Sequence, residues 1–106
     1  MKGDHVGEFE ELVLLGVRAL DPPVYAVPIQ QFVARTTGRE VTMGAVYAAL
    51  ERLEQKGLLR SSVGEPTAER GGKAKRLVSV TPAGMQLLRS LRRVRDRIWK
   101  VIENRS

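Results

Sequence analysis

The sequence predicts a mainly α-helical domain with a small β-hairpin, an α+β fold in the order helix, helix, helix, hairpin, long helix. Three observations predict it. Apolar residues recur at helical spacing in four segments parted by Pro and Gly stops, two short β-prone runs flank a Gly-containing basic stretch, and the last apolar stripe runs unbroken from Leu87 to Ile102. At 106 residues the chain has the size of one domain, and with 42% hydrophobic but only 5% aromatic residues its core must be mostly aliphatic.

Residues 8–20 read as the first helix. Glu8, Glu10 and Glu11 fall in its first turn, where the helix dipole favours acids, and Phe9, Leu12, Val13, Gly16, Val17 and Leu20 recur along one side. Leu14 and Leu15 fall off that stripe, so the helix is expected to be buried on more than one side, which in so small a chain points to a subunit contact. Asp21-Pro22-Pro23 stops it. A second helix is expected from Pro28, whose fixed φ suits the first helical position, through Ile29, Phe32 and Val33 to Thr37, with Gly38 as a left-handed stop. Thr42 can then cap a third helix with Val46, Leu50 and Leu53 inward and Gly57 at its end. Two short helices joined by a tight turn have the outline of a helix-turn-helix.

Leu58, Leu59 and Val63, followed by Gly64-Glu65-Pro66, make one β-prone run, and Leu77, Val78 and Val80 make another. The tip between them holds Gly71-Gly72 and is basic, with Arg70, Lys73, Lys75 and Arg76 against Glu69. Thr81-Pro82 supplies an N-cap and a first-turn proline for a final helix reaching about Glu103. Its residues Leu87, Leu91, Val94, Ile98 and Val101 follow a 4-3-4-3 spacing, widened by Leu88 and Ile102, while Arg89, Arg92, Arg93, Arg97 and Lys100 take the other side. A core of three short helices cannot cover such a rod, so Leu87, Leu91, Val94, Ile98, Val101 and Ile102 are expected to meet a second copy. Arg95 projects on the apolar side and needs either to snorkel or to pair with an acid of the partner such as Glu10 or Glu11. Trp99, at the edge of the stripe, is a packing anchor or a platform for a flat ligand.

Charge narrows the function. Lys and Arg number 18 against 12 Asp and Glu, a net +6, and the excess lies in the second half: residues 1–53 carry five basic and seven acidic side chains, residues 54–106 thirteen and five. A polyanion is therefore the first partner to consider. With no cysteine and a single histidine, His5, the chain offers no thiolate, no zinc site and no carboxylate pair beside a nucleophile, so neither an enzyme nor a bound metal or other cofactor is expected. Its uninterrupted apolar stretches, such as Leu12 to Leu15, are far too short for a bilayer, and a cytoplasmic protein without a membrane partner is expected.

The third helix is the candidate reading element. Opposite its inward residues it presents Thr42, Ala45, Ala48, Ala49 and Arg52, small at the front for close approach to a groove, and Tyr47 can offer its hydroxyl to a phosphate. Four cations on the adjacent hairpin tip can straddle a sugar-phosphate backbone or enter a minor groove. The run from Thr42 to Leu59, TMGAVYAALERLEQKGLL, with the basic Arg70-Gly71-Gly72-Lys73-Ala74-Lys75-Arg76 and the turn Val80-Thr81-Pro82-Ala83-Gly84, resembles the PadR family of winged helix-turn-helix transcription regulators. The similarity covers about Glu8 to Glu103 and rests on the spacing of Gly44, Tyr47, Leu50, Leu53 and Gly57-Leu58. The chain has Tyr25-Ala26 where members often have Tyr-Gly, and Ala48 where they often have proline.

That resemblance implies a homodimeric regulator, usually a repressor, with a winged helix-turn-helix domain over residues 8–80 and a C-terminal dimerisation helix over 81–104. Its partners would be double-stranded DNA with a roughly palindromic operator, a second copy of itself and, through Trp99, a planar apolar small molecule. The DNA-binding residues expected are Thr42, Ala45, Tyr47, Arg52, Arg70, Lys73, Lys75 and Arg76. A winged-helix protein-interaction module without DNA binding is the alternative.

Overall fold

Three short helices meet over one aliphatic core, a two-stranded hairpin closes its side, and a long helix leaves it. The computed structural model describes residues 5–66 and 74–105. Its elements are α1 (Glu8–Ala19), α2 (Ala26–Thr37), α3 (Met43–Gln55), β1 (Leu59–Pro66), β2 (Ala74–Val80) and α4 (Pro82–Asn104). This is the winged helix-turn-helix arrangement with a long C-terminal helix, as the sequence predicts.

The core joins Val13, Leu14 and Val17 of α1, Ile29 and Val33 of α2, and Val46, Ala49, Leu50 and Leu53 of α3, all buried, with Leu58, Leu59 and Val78 from the hairpin and Leu88 from α4. α1 packs on both α2 and α3, which is why Leu14, off the predicted stripe, is as fully buried as Val13. Leu15 remains exposed. Gly16 allows the close approach, since a Cβ there would stand 3.3 Å from the Phe32 ring.

α2 begins two residues earlier than the proline signal places it. Tyr25 takes the N-cap position, and Pro28 sits third in the first turn, where its missing N–H still leaves no intrahelical bond unmade. Gly38 adopts the left-handed conformation at φ 71° and ends α2 as expected. Thr42 caps α3 by accepting from the Ala45 N–H at 3.1 Å.

β1 and β2 pair antiparallel from Leu59↔Val80 to Val63↔Arg76, with a register shift before Pro66↔Ala74. Val24 adds a short bridge on the outer side of β2, exchanging both backbone hydrogen bonds with Val78. The start of α4 is seated on the core. Thr81 donates its hydroxyl to the Gly57 carbonyl at 2.7 Å, accepts from the Gly84 N–H, and gives its own N–H to the Leu58 carbonyl. Of α4, only Gly84 and Leu88 are buried.

Gly84 has no room for a side chain: a Cβ would fall 2.4 Å from the Leu58 carbonyl oxygen and 2.7 Å from Val80 Cγ1, whereas Gly44, also helical, faces open space. Gly84→Ala should therefore lose on the order of 1–3 kcal/mol by overpacking, while Gly44→Ala should hold stability or gain up to about 1 kcal/mol from helix propensity. Thermal melts of the two variants check the contrast.

Candidate nucleic-acid interface

The turn between α2 and α3 is fixed by side chains that leave the outer face of α3 free. Gln30 Nε2 donates to the Val41 carbonyl at 2.6 Å, Thr37 donates to the Val33 carbonyl at 2.7 Å, and Arg39 Nη2 reaches Glu8 on α1 at 2.6 Å. With Val46, Ala49, Leu50 and Leu53 inward, α3 exposes Gly44, Ala45, Tyr47, Ala48, Glu51, Arg52 and Gln55. Tyr47 is 57% exposed. Ala49 departs from the sequence reading: it lies three residues from Val46 and four from Leu53, which turns it into the core, where it is fully buried.

Three acids in the first turn of α1 reach three different elements. Glu8 pairs with Arg39 in the helix-turn-helix turn, Glu10 with α3, and Glu11 with Arg95 of α4 through two hydrogen bonds of 3.0 and 3.1 Å. Glu10 is buried, accepting from Arg52 Nε at 2.5 Å on one carboxylate oxygen and from Lys56 Nζ at 2.8 Å on the other. Lys56 also donates to the His5 carbonyl at 2.7 Å. Arg95 therefore finds its acid within its own chain, because α4 leaves the core beside α1 and brings the guanidinium over Glu11; no partner carboxylate is needed.

A second junction ties the hairpin to α3. Alternation along the paired strands puts Leu59, Ser61 and Val63 of β1 on one face with Val80, Val78 and Arg76 of β2. On that face Glu54 of α3 accepts from Ser61 Oγ at 2.7 Å and from Arg76 Nη2. Arg76, expected on DNA, is thus ion-paired inside the chain, as Arg52 is. Arg70 and Lys73 lie outside the described residues, and of Lys75 only the backbone, on β2, is described.

These contacts set the ionisation of the acids. Burial alone would raise Glu10, but hydrogen bonds and charge from Lys56 and Arg52 outweigh it and hold its carboxyl below the ordinary value of 4.5. Glu54 is lowered chiefly by the Ser61 hydroxyl, against burial, which raises it, with further lowering from the hydrogen bond and charge of Arg76. Glu8 is lowered by its hydrogen bond to Arg39 and that residue's charge.

On the far side of α1, an open groove of about 620 Å³ runs along α4, floored by Leu15, Ala19, Met85 and Leu88, with Trp99 at one end and Arg18, Arg89, Arg92 and Arg95 along its rim. Of the α4 stripe, Leu87 packs partly against the chain's own core, Leu91 is partly covered, and Val94, Ile98, Val101 and Ile102 stand 47–56% exposed. Among the described residues no helix is long and apolar enough to cross a membrane, and no cluster of His, Cys, Asp or Glu could hold a metal ion.

The transcriptional regulator PadR-like family model matches residues 14–90. The chain belongs to the PadR-like family. Its members are transcription regulators rather than enzymes and bind DNA. No curated protein sequence matches the chain. The PadR-like fold recurs in solved structures: a PadR-like transcription factor from Bacteroides fragilis, 23% identical over 92% of this chain and 89% of that one, superposes with a TM-score of 0.74. A PadR family transcription regulator from Clostridium difficile R20291 gives 0.72 at 21% identity, covering 92% of this chain and 97% of its own. A PadR-like transcriptional regulator from Bacillus cereus ATCC 14579 gives 0.71 at 16% identity over 91% and 88%. At these identities the likeness is one of fold.

Sequence reading offered Glu10 only as a first-turn acid or a partner for Arg95, and passed over Glu54 and Lys56. A signal for Glu10 was present: it stands three residues before Val13 and four before Leu14, on the buried side of α1, where a carboxylate requires partners. Glu54 had none, since its partners Ser61 and Arg76 are brought to it only by strand pairing. Because Glu8, Glu10 and Glu54 are lowered in the folded chain, they contribute stability that is fully present above 4.5 and is lost as pH falls through their lower folded values. The urea midpoint should stay flat from neutrality to about pH 5 and fall below it. Glu10→Gln should cost about 1–3 kcal/mol at pH 7 and show a shallower acid decline. Denaturation curves across pH check both.

Proposed function

We propose that this PadR-like chain represses transcription as a homodimer that occupies a roughly palindromic operator. The observation that carries the reading is one chain holding both an open reading helix, with small and polar residues outward, and an apolar α4 stripe it cannot cover. Covering Val94, Ile98, Val101 and Ile102 is worth on the order of 1 kcal/mol each, and a second α4 offers the matching stripe. Residues 8–80 then form the DNA-binding head and 81–104 the dimerisation helix, in a protein that works in the cytoplasm. Two identical heads require half-sites related by two-fold symmetry about one helical turn apart.

In this reading α3 enters the major groove through Thr42, Ala45, Tyr47 and Arg52. The hairpin cations Arg70, Lys73, Lys75 and Arg76 hold the flanking backbone. The groove beside Trp99 takes a planar apolar small molecule, and because α4 forms one wall, an occupant there can change how the two heads are spaced.

Two experiments test the proposal. The double variant Ile98→Asp/Val101→Asp should sediment as a single chain at micromolar concentration while the parent sediments as a dimer; a monomeric parent would refute the dimer. Lys75→Ala/Arg76→Ala should weaken binding to the operator duplex and lower the slope of log affinity against log salt there by up to about 2. An unchanged slope in the folded variant removes the hairpin from the contact.

A further inference from the structure

We propose that Glu10 and Glu54 act as acid guards on the reading head, holding the cations Arg52 and Arg76 in internal pairs until base-edge contacts seat α3 in its operator. This rests on the DNA-binding reading above and names residues that set its specificity. Both described arginines expected on DNA, Arg52 on α3 and Arg76 on β2, are already committed to a carboxylate of their own chain. The two acids flank α3 from opposite sides: Glu10 from α1 beneath it, Glu54 from its own hairpin-facing side.

The geometry of each pair fits a hold that can be released. Glu10 engages Arg52 through Nε, and the Arg52 side chain remains half exposed, so its Nη groups stay available to a phosphate that comes close enough. Arg76 is likewise half exposed while Glu54 is only about one-third exposed. The acids are therefore anchored and the cations are the movable partners: Glu54 is additionally held by Ser61, and Glu10 by Lys56.

Sequence-independent binding to duplex depends almost wholly on cations meeting phosphates and releasing counterions. A cation already neutralised by a buried or fixed carboxylate adds little to a loose encounter, because the phosphate must displace the acid. In a seated complex the base-edge contacts keep the phosphate in place, and the exchange becomes favourable. The guards thus weaken binding to bulk DNA more than binding to the operator, which is a gain in specificity obtained by suppressing the wrong complexes.

The test compares Glu54→Gln and, separately, Glu10→Gln with the parent and with Asp21→Asn, which makes the same change in net charge in the loop after α1. Asp21 has a positive φ that asparagine also adopts, so this control should fold. Circular dichroism confirms folding of each. Fluorescence anisotropy then measures affinity for random duplex and for a duplex selected by the parent from a random pool, at several salt concentrations. Either guard variant should bind random duplex roughly three- to fivefold more tightly than the control. Its salt slope should steepen by about 0.9 per cation released. Operator affinity should change less, so that the ratio of the two falls. Guard variants that match Asp21→Asn, or that gain equally on both duplexes, overturn the proposal while leaving DNA binding intact. A parent that binds neither duplex overturns the DNA-binding reading and this proposal with it.

Discussion

A carboxylate with almost no access to water is tolerable only where opposite charges reach it, and Glu10 has two, one on each oxygen. Both come from the end of α3. The pair of contacts therefore fixes the roll of α3 on α1, on top of the apolar packing of Val13, Leu14 and Val17 against Val46, Leu50 and Leu53. Apolar packing alone tolerates small rotations of one helix on another, and contacts from one carboxylate to two positions a turn apart on α3 oppose them. What α3 shows to solvent, with Gly44, Tyr47 and Ala48 outward, follows from that constraint.

The same first turn of α1 links parts with different tasks. Glu8 steadies the turn before α3, Glu10 steadies α3, and Glu11 holds Arg95 on the long helix that lines the groove with Trp99. Adjacent residues of one rigid helical turn thus touch both the three-helix head and the helix proposed to join two copies. Thr81 and Gly84 make a second connection between the same parts, since they seat the start of α4 on the Gly57 and Leu58 carbonyls that follow α3. Head and rod are coupled at two places, and the described α4 residues beyond Leu91 are exposed, with Arg95 tied back to Glu11.

Much of this was legible in local sequence because local rules act there. Thr42 and Thr81 announced helix starts by their caps, Gly38 and Gly57 announced ends by the positive φ that glycine adopts at no steric cost, and the spacing along α4 announced an amphipathic rod. The start of α2 was missed because proline is tolerated throughout a first turn and so does not mark which position it occupies. Ala49 was misplaced because alanine suits a groove-facing surface and a tight core equally. Pairings across the fold were least legible: Glu54 with Arg76 depends on how the strands register, and Arg95 was matched to Glu10 or Glu11 but of a second copy, because where α4 leaves the core is encoded in no spacing.

The central claim is that the outer face of α3 and the hairpin beside it form the surface that meets DNA. Titrating the isotopically labelled chain with a duplex selected from a random pool, and following backbone amide resonances, tests it residue by residue. The account predicts that Gly44, Tyr47, Ala48, Arg52 and Arg76 shift together while buried Val13 and Ile29 stay in place. Shifts gathered on the basic side of α4, around Arg93, Arg97 and Lys100, with α3 silent, would contradict it.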